Sequence, residues 1–98
     1  MVSADDIRQT ISGIAQIVRL AAPSVLDAAE QERTALDAVS ASGADVGALR
    51  RFGDWAMSTV KAGANGAMVA AVSSSVTYLL TQAAYLTGHL PPAPHLPL

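Results

Sequence analysis

The chain has 98 residues, of which 51% are hydrophobic, 14% charged and 4% aromatic, with no cysteine and a formal net charge of −2. That length and composition exclude a multidomain chain and compositional disorder. The missing thiols exclude a disulfide scaffold, a thiolate zinc site and a cysteine nucleophile. The acidic balance, with a pI near 5.4 and a mean hydropathy of +0.35, argues against nucleic acid as a partner.

The charge is unevenly spread. All fourteen charged residues lie between Asp5 and Lys61, so the first 61 residues are 23% charged and the last 37 carry none. The first figure is near the norm of ~25% for soluble domains. The expected fold is all-α: three amphipathic helices plus one uncharged C-terminal helix, as a small bundle or helical hairpins. The expected organisation is one helical domain over 1–88, with charged helices in 1–61, an uncharged helix at about 66–87, and a proline-rich extended tail over 89–98.

The N-terminus lacks the basic, then apolar pattern of a signal peptide, because Asp5 and Asp6 come first. Ser3 and Asp6 have capping-box spacing. Ile7, Ile11, Ile14 and Val18 follow at intervals of four, three and four, with Ile17 widening the stripe. This is the pattern of an amphipathic helix, and Pro23 ends it.

Ser24 and Asp27 repeat the capping spacing, predicting a second helix from Val25 to about Ala41. Leu26, Ala29, Leu36 and Val39 form its apolar stripe. Glu30–Arg33 and Arg33–Asp37 are spaced to pair on its wet face. Gly43 is expected at the C′ position. Asp45 then predicts an N-cap for a third helix, about Val46 to Lys61, burying Leu49, Phe52, Ala56 and Val60. Gly53 admits a close neighbour, Arg50 and Asp54 are spaced to pair, and Arg51 is placed to lie over Trp55.

Gly63, Asn65 and Gly66 form either a turn or a small-residue patch within one long helix. From Ala67 to Leu86 the chain is apolar and small, with Val69, Val72, Val76, Leu79 and Ala83 at helical spacing. A strand over Val72–Leu80 is the competing reading, but no second strand-like run exists to pair with it. Gly88 marks the helix end. The four prolines that follow favour an extended tail with PxxP spacing, but no flanking cation.

Motifs of chemistry are sparse. Gly63-Ala64-Asn65-Gly66 lacks the Lys-Ser/Thr of a phosphate loop and a preceding strand. His89 and His95 have no acid near them in sequence, so neither a metal site nor a general base is expected. No enzyme and no cofactor are expected.

The uncharged helix is the informative feature. It is long enough for a bilayer span, which takes ~20 residues, and Arg50, Arg51 and Lys61 precede it. That layout resembles a tail-anchored protein. Asn65, Ser73–Ser75, Thr77, Thr81 and Gln82 weaken it as a lipid solute. Three short alanine-rich helices are poor cover for it, so a lone monomer is expected to leave it incompletely covered.

The preferred reading is a non-enzymatic helical assembly module of the cytoplasm. Its packing residues are Gly63, Gly66, Ala70, Val72, Val76, Leu79, Leu80 and Ala83. They are expected to meet copies of the chain or a larger protein partner. The alternative is a small single-pass membrane protein, either an anchor subunit or a pore-forming, holin-like effector.

Overall fold

The computed structural model describes residues 2–63 and 66–88. Four helices and one small hairpin follow in the order α1 (Ala4–Ala21), α2 (Ala28–Asp37), β1 (Val39–Ser40), β2 (Gly43–Ala44), α3 (Val46–Ala62) and α4 (Gly66–Thr87). The all-α architecture read from the sequence is the one observed.

The first helix begins where its caps place it. Asp6 donates its backbone N–H to Ser3 Oγ at 3.2 Å, and Ser3 donates its own to Asp6 Oδ2 at 3.0 Å. Both arms of the capping box are therefore made. The isoleucine stripe is fully used: Ile7, Ile11, Ile14, Ala15 and Val18 are buried. At the other end Ala22 donates to the carbonyl of Val18 at 2.8 Å, and Pro23 follows.

The second helix is shorter than its composition predicts. It starts at Ala28, with Asp27 rather than Ser24 at the N-cap, and ends at Asp37 rather than near Ala41. Its buried residues are Ala28 and Ala35, whereas Leu26 is 98% exposed and Ala29 is exposed. The Asp27 side chain makes no capping bond. It accepts instead from the indole Nε1–H of Trp55 at 3.1 Å. Tertiary structure therefore sets this boundary.

Residues 39–44, read as helix and stop, form an antiparallel hairpin pairing Val39 with Ala44 and Ser40 with Gly43. Its anchors are distant or flanking. Arg8 of α1 donates to the Val39 carbonyl at 3.1 Å, and Asp45 N–H donates to the Ala38 carbonyl at 2.8 Å. Val39, on the hairpin's first strand, is buried.

Asp45 caps α3 as expected, accepting from Ala48 N–H at 3.1 Å. Leu49, Phe52, Gly53, Ala56 and Val60 form its buried face. A Cβ on Gly53 would lie 2.6 Å from Val76 Cγ1, so α4 packs into the space this glycine leaves. The ring contact of Trp55 is with Phe52, at a centroid distance of 5.6 Å, and not with Arg51.

The glycine-rich junction separates two helices rather than lying inside one. Residues 64 and 65, including Asn65 of the expected turn, fall outside the described residues. Gly63 closes α3, and a Cβ there would come within 2.8 Å of the Ala21 carbonyl oxygen, so the glycine lets the ends of α1 and α3 approach. At the far end Gly88 takes φ +79°, the left-handed conformation glycine adopts without steric penalty. The expected proline tail and both histidines lie outside the described residues.

Helix α4 packs chiefly on α1 and α3, while α2 lies against α1 and α3 as well. One core unites these elements, with Ile7, Ile11, Ile14, Leu49, Val60, Val72 and Leu79 as its largest fully buried side chains.

Candidate functional site

Helix α4 sorts its residues by size. Val72, Leu79, Gln82 and Ala83 are buried. Val69, Val76, Leu80 and Leu86 are half-buried and pack against the same core. Gly66, Ala67, Ala70, Ala71, Ser73, Ser74, Thr77, Tyr78, Thr81 and Tyr85 are exposed. The centre of the outer face is thus Ala70, Ser74, Thr77 and Thr81, at intervals of four, three and four. Tyr78 and Tyr85, 59% and 54% exposed, flank it.

The eight packing residues read from the sequence divide accordingly. Val72, Leu79 and Ala83 are buried within the chain, and Val76 and Leu80 are half-buried beside them. Gly63, Gly66 and Ala70 are exposed. Coverage is partial: the bulky aliphatic groups are covered or half-covered, and the small and hydroxylated ones face outward. Sequence periodicity alone missed the outer stripe, because serine and threonine interrupt an apolar pattern without charging it.

The two outer threonine hydroxyls are satisfied inside the helix. Thr77 Oγ1 donates to the Ser73 carbonyl at 3.0 Å, and Thr81 Oγ1 to the Thr77 carbonyl at 2.9 Å. Back-bonding of this kind leaves the methyl group outermost and reduces the penalty for excluding water from the hydroxyl. At Thr77 and Thr81 the face is therefore more apolar than the residue names imply.

Elsewhere the surface is ionic. Arg8 pairs with Asp5 at 3.2 Å and Arg19 with Glu32 at 3.0 Å, both at the surface. These are the ion pairs among the described residues. The pairs expected for Glu30–Arg33, Arg33–Asp37 and Arg50–Asp54 are not formed. The α2 acid that does pair is Glu32, which meets Arg19 of α1.

Several cavities open on the surface among the described residues. One, about 550 Å³, lies where α1 and α3 end and is lined by Ala21, Pro23, Val25, Ser58, Thr59 and neighbours, with no titratable group. A second, about 460 Å³, is bounded by the N-terminus of α1 and by Ala41 and Leu86. A third is smaller, about 250 Å³, and polar, lined by Asp6, Gln9, Thr10, Tyr78 and Gln82. Among the described residues no group of three or more His, Asp or Glu is placed to hold a metal ion.

Helix α4 is also the one helix among the described residues long and apolar enough to cross a membrane, by length and composition alone, with a mean hydropathy of 1.2 over its most apolar window. No family model, no curated protein and no solved structure matches this chain.

Proposed function

We infer that the protein is a non-enzymatic helical assembly module whose outward α4 face docks on a second copy of the chain. The observation that supports this reading is the charge-free, small-residue surface of α4 beside helices that expose charges. An isologous contact brings each residue near its own copy or that of a neighbour, so a like-charged stripe would repel itself. A neutral stripe is self-complementary. Small side chains at Ala70, Ser74, Thr77 and Thr81 let two helices approach closely, and Tyr78 and Tyr85 supply apolar area at the margin.

The test is the mass of the purified chain in detergent-free buffer by sedimentation. A dimer or larger is expected, reduced to monomer by Thr77→Arg with the helical signal intact. A monomeric wild type at high concentration overturns the reading. The second reading is a membrane-associated helix, supported by the length and hydropathy of α4. Its mark is recovery only in the detergent-solubilised fraction, whereas the assembly reading places the chain in the soluble fraction.

A further inference from the structure

Among the described residues one polar side chain is buried, Gln82 of α4, only 3% exposed. Its carbonyl oxygen lies 2.7 Å from Thr10 Oγ1, whose single proton is shared between it and the Asp6 carbonyl at 3.1 Å. Its amide NH₂ has no partner among the described residues. A buried donor without a protein partner depends on whatever occupies the space in front of it, a dependence that leucine at this position would not carry. Gln82 lines the 250 Å³ polar cavity together with Asp6, Gln9, Thr10 and Tyr78. That volume far exceeds the ~10–15 Å³ that one water needs.

The lining defines what would fit. Asp6 Oδ2 is held by the backbone N–H of Ser3 at 3.0 Å, which leaves its other oxygen as an acceptor. Gln82 Nε2 is a donor, Tyr78 supplies an aromatic wall and a phenol, and no cation lines the cavity. A carboxylate ligand would satisfy Gln82 but face Asp6 with like charge. An ammonium ligand would satisfy Asp6 but leave Gln82 unpaired. A carboxamide carries a carbonyl acceptor and an N–H donor on one carbon, and so answers both. We propose that this cavity binds a small neutral carboxamide, with Gln82 donating to its carbonyl, Asp6 accepting its N–H and Tyr78 packing on its body. The Gln82 floor lies inside a single chain, while Tyr78 also stands at the margin of the proposed assembly face, so Gln9→Ala is the variant that tests the cavity apart from assembly.

The experiment is a titration of the ¹⁵N-labelled full chain by NMR with nicotinamide and acetamide, and in parallel with acetate and methylammonium. Saturable shifts of the Gln82 side-chain NH₂ and of the Gln9 and Tyr78 amides are expected with the two carboxamides alone. Gln82→Met, similar in volume, should weaken binding ~10-fold, as loss of one buried hydrogen bond implies. Tyr78→Ala and Gln9→Ala, at exposed positions that leave the core untouched, should weaken it several-fold. They keep the proposal falsifiable if Gln82→Met does not fold. Shifts that never saturate, equal response to acetate or methylammonium, or unchanged affinity in Tyr78→Ala and Gln9→Ala would each overturn it. So would a long-lived water on Gln82 that no carboxamide displaces.

Discussion

Helices α1 and α4 both present one face to the same core, but they separate inside from outside by different means. On α1 the contrast is polarity: Ile7, Ile11, Ile14 and Val18 are buried, while Asp5, Gln9, Gln16 and Arg19 are exposed. On α4 neither face is charged, and the contrast is size. Val72, Val76 and Leu79 turn inward; Ala70, Ser74, Thr77 and Thr81 turn outward. Burial of larger aliphatic groups removes more apolar area from water, at ~25 cal/mol per Å², so the bulky side wins the core even where both sides are neutral. A helix can therefore be amphipathic in volume while its charge pattern is blank.

The largest effect is expected from inverting polarity on the inner face of α4. Val76→Asp places a carboxylate against α3 where Val76 fills the Gly53 notch. An unpaired charge moved out of water costs several kcal/mol, a large part of the ~5–15 kcal/mol that stabilises a domain. Loss of the cooperative thermal transition by circular dichroism is expected. Leu79→Ala, at a fully buried site, should lower stability by ~2–5 kcal/mol in urea titrations.

A sharper test concerns the contact that seats α4. Gly53→Ala gains ~1 kcal/mol in helix propensity, but its methyl group falls 2.6 Å from Val76 Cγ1. Overpacking typically costs ~1–3 kcal/mol, so a net loss is expected. Adding Val76→Ala should recover much of that loss, giving a coupling energy between the two positions. A Gly53→Ala variant more stable than wild type would mean that the two helices separate easily. A smaller effect, ~1 kcal/mol, is expected for Ser3→Ala, which removes the hydroxyl arm of the α1 capping box.

Helices α1, α3 and α4 were legible because each carries its own signals: Ser3 with Asp6, Asp45, the glycines at 63 and 66, and Gly88. Helix α2 was not, because its decisive partners are remote. The Asp27 side chain is taken by Trp55, 28 residues away, and the hairpin after Asp37 is held by Arg8, 31 residues before Val39. Two-residue strands are also too short to alternate visibly. For the candidate site, periodicity picked out Val72, Val76, Leu79 and Ala83, which the chain buries in its own core. The outer stripe and the Gln82 cavity needed the third dimension, because each joins residues whose meaning depends on what lies opposite. Thr10 and Gln82 are 72 residues apart.

The smallest expected effect on stability is also the one that best isolates the outer face. Ala70 and Ala71 are exposed on α4, so an arginine at either position meets water and keeps the helix propensity of a good helix former. Surface changes of this kind usually stay within ~0.5 kcal/mol. Ala70→Arg should therefore match wild type in urea while shifting the sedimenting species toward monomer. Ala71→Arg, nearer the tyrosine margin, should do so less. A placebo arginine on the exposed side of α1, Ser12→Arg, should change neither quantity. If Ser12→Arg dissociates the assembly as well, charge rather than the α4 stripe governs association. If Ala70→Arg unfolds the chain, the outward face is not a surface at all, and the division of α4 by size fails with it.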